Sequence, residues 1–364
     1  MSYDLCVIGG GISGLGIAKE AQLRGLKTCL LEKSEIASST SDNSLRIIHG
    51  GFRYLQSADI LKVIESMKEQ ESLLKQFPDF IVPLPCLMPL NASGLKSKVP
   101  VSAALTFYDV LKFLFRAKLK RGKVLTKEQL PEISYFSQLK NSSFLQWYDA
   151  LLLEPKNFSV FLAQKLSESG VDLFSKTACL GISRKSLGYE IACNGGVGDF
   201  LLSTKMVVNA AGAAITTIPL EGIKVERPQI KWLRAFNLVM KKQISSTYAI
   251  GIESSSGRLF FAVPRGAYTA IGTEYLPMTD NSPEVKSEEV EVFLDDFNSS
   301  LPGYDCSSSD IEKIEIGILP ANSAGTLFSK KKLLVDGKYC EVVSTKYTTF
   351  QSQARSVLDT LLSK

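Results

Sequence analysis

Six consecutive residues, Gly9-Gly10-Gly11-Ile12-Ser13-Gly14, fit the pattern G-x-G-x-x-G. At this spacing the first glycine makes a tight turn, the second lets backbone approach a pyrophosphate, and the third lets a helix pack closely on a strand. A helix starting here offers unpaired N–H groups and a partial positive charge to phosphates. Glu32 stands where a carboxylate would accept hydrogen bonds from ribose hydroxyls. The pattern implies a dinucleotide without saying which, and an empty glycine-rich turn is its bland alternative. A second segment, rich in Ser, Thr and Asp from Ser34 to Ser44, runs into Arg46-Ile47-Ile48-His49-Gly50-Gly51-Phe52-Arg53-Tyr54-Leu55. It holds the one histidine of the chain. Histidine titrates near neutrality and suits a general base, and a permanently charged arginine suits a carboxylate or phosphate.

These residues need elements to hold them. Tyr3 to Ile8 reads as an apolar strand, Ile12 to Leu23 as a helix closed by Arg24-Gly25, and Lys27 to Leu31 as a second strand, a βαβ unit around the glycines. A helix is expected from Ala58 to Gln76, and prolines at 78, 83, 85, 89 and 100 mark passage to another lobe. Val160 to Ser167 reads as helix, Val171 to Ser183 as strand, and Met206 to Val208 as a strand running into Asn209-Ala210-Ala211-Gly212. Asn237 to Met240, Leu259 to Val263 and Tyr268 to Gly272 pattern as antiparallel sheet, Tyr339 to Val343 as strand and Thr348 to Leu362 as a last helix. The expectation is an α/β and α+β chain. A Rossmann-like dinucleotide-binding domain is assembled from 1–80, 150–220 and 312–364, and a mainly antiparallel β substrate domain from 81–149 and 221–311.

The segment from Thr40 to Leu55 resembles the flavin-contacting segment of FAD-dependent glycerol-3-phosphate dehydrogenases, within the D-amino-acid-oxidase-like superfamily. Val208 to Gly212 resembles the family's Asn-Ala-Thr-Gly strand end, with Ala213-Ala214 for its Pro-Trp. Ala270-Ile271-Gly272-Thr273 resembles the Ile-Gly-Thr signature, with Tyr275 where an Asp is usual, and Ser344 to Phe350 resembles Gly-Gly-Lys-Leu-Thr-Thr-Tyr. The resemblance runs from Tyr3 to about Leu362, and the helical C-terminal domain of many members does not follow. It implies FAD as cofactor, with contacts from Gly9, Gly11, Ile12, Ser13, Gly14, Glu32, Lys33, Thr40, Ser41, Ser44, His49, Gly50, Ala178, Ala211, Gly212, Lys346, Tyr347 and Thr348. It also implies His49, Arg53, Tyr54 and Lys346 as the catalytic group. For His49, packing on the flavin or carrying it covalently stand beside the role of base; for Arg53 a surface ion pair is the alternative, and for Tyr54 simple packing. A helix start at Lys346 to Thr348 would stabilise negative charge on the reduced flavin. Three substrate positions depart from the family. A phosphate-holding Arg becomes Leu319, a His becomes Asn237, and a second phosphate-facing Arg falls near Lys330.

Composition narrows the setting. At 364 residues with 45% hydrophobic and 22% charged residues, disorder is excluded and two lobes are expected. A net charge of +5 spread along the chain does not imply nucleic acid. Seven scattered cysteines without a C-x-x-C, no signal-peptide pattern and no apolar run of membrane-spanning length point to the cytoplasm, and no metal site is expected. From Leu105 to Lys123 an aromatic run, Phe107-Tyr108, leads to Lys112, Arg116, Lys118, Lys120, Arg121 and Lys123. That segment reads either as an amphipathic helix at the inner face of a membrane or as a solvated helix face.

The resulting expectation is an FAD-dependent oxidoreductase that moves a hydride to flavin N5 from a CH–OH group of a small anionic polyol or hydroxy-acid. Glycerol 3-phosphate itself is disfavoured by Leu319 and Asn237. An amine or amino-acid oxidase, and a flavin-binding protein without catalysis, are the alternatives. Quinone, oxygen or a soluble carrier are the open choices of electron acceptor.

Overall fold

The computed structural model describes residues 2–130, 133–196, 198–254, 257–278 and 283–363. In chain order the strands are β1 (Ser2–Ile8), β2 (Thr28–Leu31), β3 (Ile47–Ile48), β4 (Ile81–Pro89), β5 (Lys123–Thr126), β6 (Ser143–Leu152), β7 (Asp172–Phe174), β8 (Ala178–Lys185), β9 (Gly188–Gly195), β10 (Gly198–Asn209), β11 (Leu220–Glu221), β12 (Lys231–Met240), β13 (Ala249–Glu253), β14 (Leu259–Arg265), β15 (Tyr268–Pro277), β16 (Ile311–Ala321), β17 (Lys332–Asp336) and β18 (Tyr339–Val343). The helices are α1 (Ile12–Leu23), α2 (Ile60–Gln76), α3 (Lys98–Leu114), α4 (Pro155–Glu168), α5 (Ser287–Ser300) and α6 (Phe350–Leu362).

The strands sort into two sheets. In the first, β7, β2, β1, β10 and β18 are parallel neighbours, and the β8–β9 hairpin continues the sheet from the first half of β10. Parallel strands are covered on both faces, and β1 and β2 are accordingly apolar runs. One face is closed by α1, α4 and α6 through Leu15, Ile17, Phe158, Phe350 and Leu358, the other by Tyr3, Ile182, Ile191 and Tyr339. The C-terminal ends of β1, β2, β10 and β18 open on one crevice, the usual ligand position in such sheets.

The second sheet runs β16-β12-β15-β14-β13-β4-β6-β3, antiparallel except where β13 meets β4. Its strands alternate with period two. Phe236, Leu238, Phe260, Ala262 and Ile271 pack against Phe293 and Phe297 of α5. The intervening Ala235, Asn237, Leu259, Phe261 and Gly272 face the crevice instead. β3 and β16 hydrogen-bond into this second sheet, so 47–48 and most of 311–321 lie outside the sheet to which the expected division assigned them.

Several elements differ from expectation for local reasons. The expected strand from Val171 to Ser183 breaks into β7 and β8 at a turn where Lys176 takes φ 52°. Helix α2 starts two residues late because Ala58 is left-handed at φ 52° and the Asp59 carboxylate caps the helix by accepting from Lys62 N–H. Pro83, Pro85 and Pro89 lie inside β4, spaced so that their missing N–H groups fall along one edge. Pro100 sits in the first turn of α3, where an N–H would have no helical partner. The basic half of the 105–123 segment is loop, and α3 ends at Leu114.

Candidate active site

The glycine-rich turn is built as its spacing demands. Gly9 takes φ 107°, and a side chain there would meet the Ala210 carbonyl oxygen at 2.5 Å. A Cβ on Gly14 would stand 1.8 Å from the Gly9 oxygen, so only glycine lets α1 approach β1 this closely. Leu15 is the first residue to donate within the helix, to the Gly11 carbonyl. Ile12 N–H donates to Ser41 Oγ at 3.0 Å, which pins the serine-rich loop over the helix start. The next N–H groups, of Ser13 and Gly14, have no partner inside the helix. Glu32 lies at the end of β2 and accepts from Gly10 N–H at 2.6 Å and Ser34 N–H at 2.8 Å. A carboxylate oxygen has further lone pairs, so both remain able to accept from a ribose.

A cavity of about 770 Å³ runs from this turn to the second sheet. Gly9, Gly11, Ile12, Ser13, Glu32, Lys33, Thr40, Ser41, Ser44, His49, Ala178, Ala211, Gly212, Lys346, Tyr347 and Thr348 line it, as do Arg53, Tyr54, Asn237 and Leu319. Three expected residues do not. Gly14 is consumed by packing, Gly50 lies behind the wall, and Lys330 is exposed at the surface. The Gly50 N–H donates to Asp149 and its carbonyl accepts from the Tyr108 hydroxyl, both within 2.9 Å.

The loop from Thr40 to Arg46 is anchored to the second sheet. Thr40 Oγ1 accepts from Ile318 N–H at 2.9 Å, and Asn237 Nδ2 donates to the Asn43 carbonyl at 3.1 Å. Asn237 Oδ1 accepts from the Thr273 hydroxyl at 2.7 Å, so this amide is engaged in holding the wall together. Below the loop Glu315 is buried between two guanidiniums, 3.7 Å from Arg46 and 3.6 Å from Arg265. Ser44 Oγ is buried without a hydrogen-bond partner among the described residues on the cavity wall, a polar atom left for a ligand to satisfy.

At the other end three cations surround one phenol. Lys346 Nζ lies 4.9 Å, the Arg53 guanidinium 5.2 Å and Lys62 Nζ 5.5 Å from the Tyr54 ring centre. Burial pushes the Tyr54 phenol up, but the Lys346 hydrogen bond and the charges of Arg53, Lys346 and Lys62 outweigh it and bring it below its ordinary value. Tyr275 also lines the cavity, where burial raises its phenol.

His49 has a partner that motif reading missed. β3 pairs with β6 as Ile47↔Leu151 and Ile48↔Ala150, and one more step of this register sets His49 beside Asp149. His49 Nδ1 lies 2.9 Å from Asp149 Oδ2, with the histidine side chain 32% exposed and the aspartate 3%. Trp147 Nε1 donates to the same oxygen at 3.1 Å, and Gln70 Nε2 to the other at 3.2 Å. Burial works to raise the Asp149 carboxyl, yet the His49 charge and hydrogen bond, the Gly50 N–H and the Trp147 N–H hold it below its usual value. The signal available in the sequence was a lone carboxylate inside the apolar run from Phe144 to Leu153.

Residues 4–335 match the family described as "FAD dependent oxidoreductase". Aerobic glycerol-3-phosphate dehydrogenase of Staphylococcus haemolyticus is 25% identical over 373 residues, covering 99% of this chain and 67% of that protein. The chain thus spans about two thirds of that relative's length. The glycerol-3-phosphate dehydrogenase of Bacillus halodurans, solved with FAD, superposes with a TM-score of 0.76 at 20% identity, over 100% of this chain and 64% of that one. The L-alpha-glycerophosphate oxidase of Mycoplasma pneumoniae, also solved with FAD, gives 0.74 at 16% identity over 100% and 96%.

Proposed function

The chain belongs to the family of FAD-dependent oxidoreductases, an enzyme related to glycerol-3-phosphate dehydrogenases, and on that premise we propose that it oxidises the CH–OH group of a small anionic polyol or hydroxy-acid. The observation that carries the reading is one cavity lined by the chain's only histidine and, with it, by Arg53, Tyr54, Lys62 and Lys346. The residues present fit FAD. The open N–H groups of the α1 start receive the pyrophosphate, Glu32 the ribose, and the unpartnered Ser44 hydroxyl a polar edge. FAD, when bound, supplies the acceptor for the hydride that leaves the substrate carbon.

The chain's own residues do the rest. His49 takes the hydroxyl proton, and Arg53 with Lys346 clamps the anionic group. Leu319 and the engaged amide of Asn237 leave the opposite wall without a charge, so the reading covers small anionic alcohols as a class rather than glycerol 3-phosphate itself. For the acceptor we favour a quinone reached from a membrane surface. No helix among the described residues is long and apolar enough to cross a membrane. However, α3 turns Val99, Phe107, Val110, Phe113 and Leu114 to solvent, Val99 and Phe113 each more than 75% exposed, with Arg116, Lys118, Lys120 and Arg121 directly after it.

The test is anaerobic reduction of the purified flavoprotein by phosphorylated polyols, hydroxy-acids, amines and amino acids. Bleaching of the flavin by an anionic alcohol is the expected result. Bleaching by amines or amino acids alone, or by dithionite and no candidate substrate, would overturn the proposal.

A further inference from the structure

We propose that Asp149 is a positioning residue that holds the proton of His49 on Nδ1 and so presents the Nε2 lone pair to the cavity, an inference that rests on reading His49 as the base. The four groups that meet the Asp149 carboxylate are the His49 ring nitrogen, the Trp147 indole N–H, the Gly50 N–H and the Gln70 amide. The last three can only donate, two to Oδ1 and one to Oδ2, and together with the His49 contact they hold the carboxyl below its ordinary value against the effect of burial. The carboxylate is therefore ionised and accepts only, and the ring nitrogen it faces must carry a proton. In a neutral imidazole the other nitrogen then has the lone pair.

Neighbouring elements keep this arrangement in place. Phe261 of β14 lies 5.5 Å from the imidazole centre and Trp147 packs edge-on against Phe261, which restricts rotation of the ring. Gln70 of α2 binds both the Ile48 carbonyl and Asp149, joining the two strands just before His49. Of the other titratable groups against Asp149, Cys86 of β4 and Tyr108 of α3 are pushed up by burial first and then by the Asp149 charge, so both stay neutral. On the cavity side the charged and titratable lining groups are Arg46, Arg53, Tyr54, Lys62, Tyr275, Lys346 and Tyr347, with Glu32, Lys33 and Cys179 at the dinucleotide end. When the substrate O–H bond breaks, its proton passes to Nε2, and the carbonyl forms as the carbon-bound hydrogen leaves with its electron pair. The imidazolium produced in that step faces a buried anion already solvated by three N–H groups, so no reorganisation is required.

Because the chain has a single histidine, histidine-selective ¹⁵N labelling yields two ring-nitrogen resonances that need no assignment. The wild-type protein should show a protonated Nδ1 and an unprotonated Nε2 at neutral pH. In Asp149→Asn the facing amide can donate to Nδ1, and the tautomer should reverse or become mixed. A wild-type ring protonated on Nε2, or a tautomer unmoved by Asp149→Asn, would overturn the proposal.

Kinetics give a second reading. With a substrate found in the bleaching screen, Asp149→Asn should lower kcat/KM by up to about 10⁴-fold, the loss seen when a carboxylate no longer sets a histidine tautomer. The acid limb of its pH profile should move to lower pH, because the imidazolium has lost its counter-charge. In a His49→Gln background the same change should cost less than about threefold. A full penalty there would mean that Asp149 serves the fold alone. If His49→Gln leaves turnover intact, the reading of His49 as base fails, while the nitrogen resonances still judge Asp149. Should Asp149→Asn fail to fold, pairing it with Trp147→Phe removes the indole N–H that would oppose the new amide.

Discussion

Arg53 stacks on Tyr54 at 5.2 Å within reach of Lys346, so charge is abundant there and the planar fork of the guanidinium is the scarce property. Arg53→Lys keeps the charge and loses the fork, and KM for an anionic substrate should rise roughly 10- to 100-fold, equivalent to about 1.4–2.8 kcal/mol, with a smaller change in kcat. Steady-state kinetics check this, and an unchanged KM would remove Arg53 from the anion site. Residues of this kind were legible in the sequence because each sits in a contiguous motif. Asp149 was not, since it stands 100 positions from His49 and meets it only through the pairing of β3 with β6. Asn237 was legible as a position and not as a role, because its amide is spent on Asn43 and Thr273. Lys330 was placed by resemblance alone, outside any contiguous motif, and lies exposed away from the cavity lining.

Among the elements, α3 faces two ways. Tyr108 on its inner side donates to the Gly50 carbonyl behind His49, while Phe113 and Val110 stand in solvent on its outer side. Val110→Asp with Phe113→Asp should abolish co-sedimentation with vesicles containing anionic lipid, and flavin reduction by substrate should be preserved. Equal vesicle binding by wild type and variant would dismiss the membrane reading. The aromatic-to-basic order of this stretch was readable in advance; the end of the helix at Leu114 was not. Arg116 takes φ 54°, and the chain turns toward β5, leaving the cations on a loop beside the apolar face. Elsewhere the elements with a single strong period, such as β1 and α1, were read to within a residue of their bounds. The stretch from Val171 to Ser183, where two strands of different sheet neighbours meet, merged into one.

At the scale of the molecule, two sheets built from alternating stretches of chain share one cavity, and the buried Glu315 with Arg46 and Arg265 joins the loop of the first to the strands of the second. Glu315→Gln would remove the carboxylate that lies between Arg265 and Arg46, leaving Arg46 with Glu154 at 2.7 Å. Unfolding should become easier by about 3–5 kcal/mol, the usual cost of breaking a buried pair, and FAD affinity should fall as the loop loosens. Thermal melting with and without added FAD measures both, and a loss under about 1 kcal/mol would show that the network is solvated. The mixed α/β class and the antiparallel second sheet were legible from strand patterning. The share of β3 and β16 in that sheet was not, because a partner about 70 to 100 residues away leaves no trace in local periodicity. Those distant pairings have a consequence for synthesis. Thr40 sits over the dinucleotide turn but its hydroxyl meets backbone at Ile318, 278 residues on, and β1 waits for β10. A ribosome must therefore deliver most of the chain before the first motif it made can grip a cofactor, and until then the nascent apolar strands depend on something other than FAD to stay unaggregated.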